Sequence, residues 1–397
     1  MKQKKKNYEP PEHPSSVGLT RAQRLRVVEP DQPLLLESGA TLAPIDIEYE
    51  AYGTLNAARD NAVLITHALS GDAHAAGWDD PETAAERPWR LRKPGWWDAI
   101  IGPGKAIDTN RWYVLCTNVL GSCYGTTGPA CLDPETGQSY GLRFPIVTVG
   151  DWVHLQARLL DHLGIERLHA VIGGSLGGQQ ALEWALKYPD RVNKCGVLAA
   201  AARLSAQGLA YNAVGRYSIL HDPAFCDGDY YGAIGPNHGL AAARMLAHIT
   251  YLSEESMNHK FGRRRKGADT GYGFDIEYEV ESYLEYQGQT FVQRFDANSY
   301  LYITRAMDYY DAAARAGGDL TEACSRLQSQ MLVVSFSTDW LYPPPQCREL
   351  ALAIARNGKG VHHVEIQTRH GHDAFLVETE KVSRLLGRFL TSKGFHS

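Results

Sequence analysis

Short runs suited to buried strands alternate with amphipathic stretches along most of the chain. The runs have five or six residues each, the length of a strand, and they are Ala62–Thr66, Trp112–Cys116, Leu168–Ile172, Val197–Ala201, Met331–Phe336 and His362–Ile366. Such runs are typical of parallel strands covered on both faces. Helical periodicity lies between or after them, over Asp151–Leu163, Ala181–Leu186 and Leu376–Leu390. This alternation predicts an α/β fold with a mostly parallel central sheet flanked by helices.

Two stretches depart from the alternation. Leu34–Tyr52 alternates around Gly39 and Pro44, which predicts an antiparallel hairpin at an edge of the sheet. Between residues 205 and 322 helical periodicity recurs without a strand pattern, over Leu240–Tyr251, Ile276–Tyr286 and Phe291–Ala314. We therefore predict a core made of residues 31–204 and 323–397, a helical lid inserted at residues 205–322, and a disordered tail over residues 1–30.

Composition narrows the classes of function. The chain has 397 residues and a net charge of −5, so it shows no basic excess that would indicate a nucleic-acid partner. Its seven cysteines show no C-x-x-C spacing, which favours reduced thiols and a cytoplasmic location. The basic start Met1–Lys6 is followed by no apolar run, and no stretch has the apolar length of a membrane span, so we predict neither a signal peptide nor a membrane partner.

A possible nucleophile lies between the third apolar run and the helix that follows it. Gly173–Gly177 reads G-x-S-x-G, the pattern of a sharp strand-to-helix turn that presents a serine hydroxyl above the sheet edge. Glycines suit this turn because larger side chains would collide with the tightly folded backbone. The pattern predicts Ser175 as a nucleophile, with a structural glycine-rich turn as the alternative.

An activated serine needs a base, and the base needs an orienting carboxylate. On this topology the chain order is serine, acid, histidine, each after a later strand. Asp339 follows Met331–Phe336 and His372 follows His362–Ile366, so we predict Ser175–His372–Asp339 as a catalytic triad. His370 remains an alternative base, and Asp339 has an alternative reading as a turn residue. The His-Gly-His sequence is also a pattern that can bind a metal ion. No second spaced set of His, Asp or Glu residues accompanies it, so we predict no metal site.

The residues that would stabilise the oxyanion are predicted from their positions in the chain. The predicted oxyanion donors are the backbone N–H of Leu176, directly after the nucleophile, and that of Leu69, on the His67–His74 loop after the first run. Cys123 is an alternative nucleophile that lacks a strand-turn-helix setting. Arg263–Lys266 is interpreted as a solvated charge cluster, with contact to a polyphosphate ligand as the alternative.

Several motifs together resemble one family. They are His67–His74, Asn118–Pro129, Gly173–Gly178, Ala243–Leu252, Lys260–Arg263, Phe295–Tyr300 and Gly371–Leu376, and they extend from about residue 35 to the end of the chain. In these motifs the sequence is similar to the homoserine O-acyltransferases of the α/β-hydrolase superfamily. Two positions depart from the expected pattern, Gln179 and Ser122, and neither bears on a reacting group.

The resemblance implies an enzyme with a ping-pong mechanism. Ser175 would accept the acyl group of acyl-CoA, with His372 as base and acid and Asp339 as its orienting partner. Arg244 would bind the carboxylate of L-homoserine and Asp373 its ammonium group. Tyr251, seven residues after Arg244 and thus on the same helical face, is expected to add a hydroxyl to the carboxylate site. An exposed surface charge is the alternative reading of Arg244.

The prediction of the acyl donor depends on one position. In succinyl-using relatives we expect arginine two residues after the triad aspartate, whereas this chain has Leu341, which favours acetyl. The resemblance thus implies O-acetyl-L-homoserine production for methionine biosynthesis, acetyl-CoA as co-substrate, no bound cofactor, and a homodimer formed through lid helices. Alternatives are succinyl-CoA as donor, serine as acceptor, an esterase or thioesterase, and a non-catalytic binding protein.

Overall fold

The computed structural model describes residues 13–91, 93–267 and 271–392. Its strands are β1 Leu19–Thr20, β2 Gln23–Val28, β3 Leu34–Leu35, β4 Thr41–Leu42, β5 Ile45–Tyr52, β6 Ala62–Thr66, β7 Trp78–Asp79, β8 Ile101–Gly102, β9 Ile107–Asp108, β10 Tyr113–Thr117, β11 Ala170–Gly174, β12 Lys194–Leu198, β13 Gln330–Phe336 and β14 Val361–Ile366. Eight of them form one sheet in the order β14-β13-β12-β11-β6-β10-β5-β2.

The helices are α1 Pro81–Glu86, α2 Val149–His162, α3 Leu176–Lys187, α4 Ala206–Leu220, α5 Asn237–Tyr251, α6 Glu254–Lys260, α7 Glu279–Val292, α8 Ala297–Tyr309, α9 Leu320–Cys324, α10 Pro344–Arg356, α11 Ala374–Val377 and α12 Thr379–Thr391. Between β12 and β13 the described residues form helices α4 to α9 and no strand. No helix in the described part of the chain is long and apolar enough to cross a membrane.

The sheet confirms the predicted α/β class. Strands β6 and β10 to β14 pair in parallel, and β5 runs antiparallel to both β10 and β2. Because the parallel strands all run the same way, the loops after β6, β11, β13 and β14 emerge at one edge. These four loops carry Leu69, Ser175, Asp339 and His372.

The predicted disordered tail over residues 1–30 is wrong for residues 19–28. Strand β2 lies at the edge of the sheet, and two of its arginines are held by acids of β5: Arg26 Nε lies 2.7 Å from an Asp46 carboxylate oxygen, and Arg24 Nε lies 2.9 Å from one of Glu48. A charged edge strand of this kind resembles a solvated segment in the sequence. Residues 1–12 of the predicted tail lie outside the described residues.

The structure also differs from the antiparallel edge hairpin predicted over Leu34–Tyr52. Strands β3 and β4 form a small two-stranded sheet of their own, and β5 is the second strand of the main sheet, inside β2.

The predicted helix over Phe291–Ala314 is interrupted. Helix α7 ends at Val292, and α8 begins where Asp296 accepts a hydrogen bond from Ser299 N at 2.8 Å. An N-cap of this type satisfies a donor that a new helix leaves unpaired.

Apolar side chains fill both faces of the sheet. On one face, helices α2 and α3 bury Trp152 and Trp184 in a core that extends into the helical insertion. On the other face, Leu386 and Phe389 of α12 pack with Trp97 and Phe375. Burying side chains of this size is worth about 1.5–3 kcal/mol each. Two filled faces hold the strand ends, and therefore the loops that follow them, at fixed positions.

Candidate active site

Ser175 lies in the strained turn that the sequence pattern predicts. Its backbone has φ 59° and ψ −129°, between the end of β11 and the start of α3. The glycines around it have no room for a side chain: a Cβ would lie 2.2 Å from Thr66 Oγ1 at Gly173, 2.3 Å from the Phe375 ring at Gly174, and 2.0 Å from Thr66 O at Gly177. The loop after β6 and the turn are therefore packed together, and the strain at Ser175 is maintained by its surroundings.

The structure brings Ser175, His372 and Asp339 into one hydrogen-bonded chain. His372 Nδ1 lies 2.8 Å from Asp339 Oδ2, and His372 Nε2 lies 2.8 Å from Ser175 Oγ. A carboxylate only accepts, so Nδ1 carries the proton and donates to Asp339, while Nε2 accepts from the serine hydroxyl. All three side chains are buried. It is His372, and not the alternative His370, that contacts Ser175.

The Asp339 carboxylate is itself held in place. Its Oδ1 accepts hydrogen bonds from the backbone N–H groups of Leu341 and Tyr342, both at 2.9 Å. These bonds leave Oδ2 directed at the imidazole. Asp339 thus acts in the loop as an acceptor for two N–H groups and, through its second oxygen, as the orienting partner of His372.

Charges near the imidazole determine its protonation. Burial alone lowers the pKa of His372, but the charge and hydrogen bond of Asp339, together with the charge of Asp373, raise it above its ordinary value. Burial also raises the pKa of Asp373, an effect that the positive charges of His372 and Arg244 oppose. An imidazole whose protonated form is stabilised by a carboxylate is suited to take a proton from a hydroxyl.

Leu176 and Leu69, the residues predicted to supply the oxyanion donors, both lie near the serine. Leu176 is the first residue of α3, where backbone N–H groups have no acceptor within the helix. Leu69 is buried and lines the same cavity as Ser175. The cavity has a volume of about 30 Å³, which is room for one or two water molecules. Its remaining lining residues are Leu204, Gly208, Tyr211, Asn212, Ala243, Leu246, Ala247, Thr250, Tyr251, Tyr300, Met307 and Leu341.

The predicted amino-acid-binding residues lie beside this cavity. The Arg244 guanidinium is 5.6 Å from the centre of the Tyr251 ring, whose own centre is 5.9 Å from that of His372. Arg244 is partly buried rather than exposed, its Nη1 donates a weak hydrogen bond to Ser70 Oγ at 3.3 Å, and its Nε has no partner among the described residues. Burial lowers the pKa of Arg244, an effect that the charge of Asp373 opposes. A cation and the Asp373 carboxylate therefore lie near one reactive serine.

Leu341, the predicted determinant of the acyl donor, also lines the cavity and is 9% exposed. The alternative nucleophile Cys123 lies outside that cavity, and burial raises the pKa of its thiol to about 12, so it is a poor thiolate source. In the cluster Arg263–Lys266, Arg264 pairs with Glu279 at 2.8 Å and Lys266 donates to Ser282 Oγ at 3.1 Å. These contacts belong to the surface of the insertion.

A second group of titratable side chains is formed by Glu50, His74 and Asp79. Each has an atom that could bind a metal ion, and these atoms lie within 4.8 Å of one another. The Arg90 guanidinium already lies among them, 3.3 Å from Asp79 Oδ1 and 3.8 Å from Glu50 Oε1. It supplies the positive charge that the two carboxylates require. We interpret this group as a buried ion-pair network that joins His74, at the end of the loop that carries Leu69, to Glu50 of β5 and Asp79 of β7.

Sequence reasoning missed two residues near the site, Phe291 and Arg294. Phe291 packs against two guanidiniums, those of Arg244 at 4.7 Å and Arg294 at 5.0 Å from its ring centre. Arg294 reaches the loop after β6, where its Nη1 donates to the Ser70 carbonyl at 3.1 Å. No local pattern marks these side chains, because a Phe or an Arg near the end of an amphipathic helix is ordinary.

Comparisons with known proteins identify the fold and the family of the chain. Residues 61–359 match the family model described as the alpha/beta hydrolase fold. A homoserine O-succinyltransferase from Litchfieldella anticariensis is 52% identical over 96% of this chain and 95% of its own length. A homoserine O-acetyltransferase from Solidesulfovibrio magneticus is 50% identical over 95% of this chain and 94% of its own length.

Solved structures give the same fold with two activities. The homoserine O-acetyltransferase from Bacillus anthracis superposes with a TM-score of 0.85 at 29% identity, covering 94% of this chain and 98% of its own. The esterase E22 superposes with a TM-score of 0.82 at 30% identity, covering 94% of this chain and 99% of its own. A shared fold therefore leaves transfer and hydrolysis to be distinguished by the site.

Proposed function

The chain belongs to the homoserine O-acyltransferases, within the α/β-hydrolase fold family, and on that premise we propose that it transfers an acetyl group from acetyl-CoA to the γ-hydroxyl of L-homoserine. The observation that carries the proposal is the Ser175–His372–Asp339 hydrogen-bonded chain at a small cavity beside Arg244 and Asp373. Acetyl-CoA acts as a co-substrate, and the reaction requires no bound cofactor.

In the first half-reaction Ser175 Oγ attacks the thioester carbonyl while His372 Nε2 takes the hydroxyl proton. Asp339 stabilises the imidazolium that forms, and the N–H groups of Leu69 and Leu176 bind the oxyanion of the tetrahedral intermediate. The C–S bond then breaks, and His372 returns the proton to the CoA thiolate. The products of this step are acetyl-Ser175 and free CoA.

In the second half-reaction L-homoserine replaces CoA. His372, again neutral, takes the proton of the γ-hydroxyl, whose oxygen attacks the acetyl carbonyl. The ester bond to Ser175 breaks, and the serine oxygen takes the proton from His372. The enzyme returns to its starting state and the product is O-acetyl-L-homoserine.

Recognition of the acceptor requires one group of each charge. Arg244 binds the carboxylate, since a guanidinium offers paired donors that match it and its Nε is without a partner among the described residues. Asp373 binds the ammonium group beside the catalytic base, and the Tyr251 hydroxyl adds a donor near Arg244. This pair of charges supports an amino-acid acceptor over a simple alcohol.

The donor assignment to acetyl rests on the apolar side chain of Leu341, which lines the cavity beside Ser175. A succinyl group would bring a carboxylate, which needs a cation at the acyl end of the site. Succinyl-CoA is the second candidate donor, favoured by the 52% identity to a homoserine O-succinyltransferase. L-serine is the alternative acceptor.

Transfer rather than hydrolysis requires that water stay away from the acyl-enzyme. Ten of the fourteen residues that line the cavity come from the helical insertion, which supports its role as the shield. We further propose that the enzyme acts in the cytoplasm, in methionine biosynthesis, as a homodimer formed through helices of the insertion.

The test measures release of free CoA with acetyl-CoA or succinyl-CoA, each with L-homoserine, L-serine or no acceptor. We expect fast release with acetyl-CoA and L-homoserine together, slow release in every other combination, and loss of the signal in Ser175→Ala. Equal rates with and without an amino acid would identify a thioesterase instead. Faster release with succinyl-CoA would move the assignment to the succinyl donor.

A further inference from the structure

Two guanidiniums of the helical insertion converge on one residue of the loop after β6. Arg294, two residues beyond the end of α7, donates from Nη1 to the Ser70 carbonyl at 3.1 Å and to the Tyr124 hydroxyl at 2.9 Å. Arg244 of α5 donates to the Ser70 hydroxyl at 3.3 Å. Ser70 directly follows Leu69, the proposed oxyanion donor.

The two arginines are neighbours and carry the same charge. Their guanidinium carbons lie 4.7 Å (Arg244) and 5.0 Å (Arg294) from the centre of the Phe291 ring, and the charge of Arg294 contributes to lowering the pKa of Arg244. Such proximity is unfavourable unless each cation has acceptors. Arg294 has two good acceptors within the protein. Arg244 has a long contact to Ser70 Oγ and an interaction with the Tyr251 hydroxyl, and its Nε has no partner in the described part of the chain.

Because of this difference, we assign the two cations different roles. Arg244 has the unused hydrogen-bonding capacity that a substrate carboxylate needs. The Nη1 donors of Arg294 are already used on the Ser70 carbonyl and the Tyr124 hydroxyl, which belong to two different loops of the core. Arg294 therefore joins the insertion to the loop that carries Leu69.

We propose that Arg294 is a positioning residue for the oxyanion hole, which it maintains by holding the Ser70 carbonyl and hence the backbone orientation of Leu69. This inference rests on the proposed function. A hydrogen bond to the carbonyl of the next residue restricts the rotation of the chain at Ser70, and this limits the movement of the adjoining backbone at Leu69, which lines the cavity. Displacement of a reacting group by about 1 Å can cost roughly 100-fold in rate.

The proposal predicts which half-reaction is affected. The oxyanion hole serves both half-reactions, but acylation by acetyl-CoA needs no amino acid. Arg294→Met should therefore slow acylation of Ser175 by roughly 10- to 100-fold at saturating acetyl-CoA. Arg244→Met should instead raise the L-homoserine concentration needed for half-maximal discharge of the acyl-enzyme, because Arg244 is the proposed carboxylate ligand. This contrast separates a residue that positions the oxyanion loop from one that binds the acceptor.

The experiment follows the acyl-enzyme by rapid quench and intact-protein mass spectrometry, first with acetyl-CoA alone and then after addition of L-homoserine. Arg305→Met is the matched control, because Arg305 lies on α8 of the insertion, with its side chain 43% exposed and 3.7 Å from Asp308 of its own helix. Thermal unfolding checks that each variant is folded. Arg294→Lys keeps the charge and a donor, so its acylation rate should lie between those of wild type and Arg294→Met.

The outcomes distinguish this inference from the proposed function. Slow acylation in Arg294→Met with an unchanged half-saturating acetyl-CoA concentration supports a positioning role. A wild-type acylation rate in Arg294→Met overturns it, and so does a raised half-saturating concentration with an unchanged maximal rate, which would make Arg294 a donor-binding residue. If the wild-type protein forms no acyl-enzyme at all, the proposed function itself fails.

Discussion

Replacement of Leu341 by arginine tests what selects the acyl donor. The Leu341 side chain is 9% exposed and lines the cavity beside Ser175, while its backbone N–H donates to Asp339 Oδ1 at 2.9 Å. The substitution changes the side chain only, so the bond that orients Asp339 is retained. A guanidinium at this position would be nearly buried, and a succinyl carboxylate would be its natural partner.

The size of the effect follows from the contact that is added. A hydrogen bond to a charged partner contributes about 1.5–3 kcal/mol, which corresponds to a preference of roughly 10- to 150-fold. We therefore expect Leu341→Arg to raise the ratio of kcat/KM for succinyl-CoA over acetyl-CoA by that factor. Turnover of acetyl-CoA should fall as well, because no carboxylate then compensates the buried charge.

The assay measures free CoA at saturating L-homoserine while the concentration of each acyl-CoA is varied. Leu341→Met is the matched control, since it conserves volume and apolar character and should leave the donor ratio within about threefold of wild type. A Leu341→Arg protein that is folded, active and unchanged in its donor ratio would refute the claim that this position selects the donor.

Three further predictions concern the base, the acceptor site and the end of the chain. Asp339→Asn should reduce kcat by roughly 10⁴-fold, as expected when the orienting carboxylate of a triad is lost. In wild type the raised pKa of His372 makes the rate fall as pH drops through that pKa, so a pH profile of kcat/KM for Asp339→Asn should show its acid limb at lower pH. Arg244→Lys should raise the KM for L-homoserine at least tenfold, because one paired carboxylate contact is lost, while acylation by acetyl-CoA measured by rapid quench stays at the wild-type rate; slowed acylation would count against this role. Lys194→Met should lower stability by about 1–3 kcal/mol, because the buried Nζ donates to the carbonyls of Phe389, Leu390 and Ser392 at 2.7, 3.0 and 2.7 Å. Faster hydrogen exchange at the end of α12 and a lower Tm than in the exposed control Lys93→Met would show this, and identical exchange would refute it.

The core strands and the order of the triad residues were predictable because their signals are local. An apolar run such as Ala62–Thr66 indicates a buried strand wherever it occurs, and the predicted bounds match β6. Parallel strands bring their carboxyl ends to one edge, so a serine, an aspartate and a histidine after three such strands were expected to meet. The hydrogen bonds of 2.8 Å on either side of His372 agree with that expectation.

The features that sequence reasoning missed depend on partners far away in the chain. Strand β2 has the composition of an exposed segment. Its arginines pair with acids of β5, and the sequence does not show that the two strands are neighbours. The contact between Arg294 and Ser70 joins residues 224 positions apart. Tertiary packing determines such contacts, and neither helical periodicity nor motif spacing records them.

The central claim is that Ser175 carries the acyl group between two substrates. Intact-protein mass spectrometry after mixing with acetyl-CoA, followed by peptide mapping, tests it most directly. We predict a gain of one acetyl group on the peptide that contains Ser175, its disappearance when L-homoserine is added, and the appearance of O-acetyl-L-homoserine in equal amount. A protein that turns over both substrates without ever gaining mass at Ser175, or that releases acetate instead of the amino-acid ester, would contradict the account.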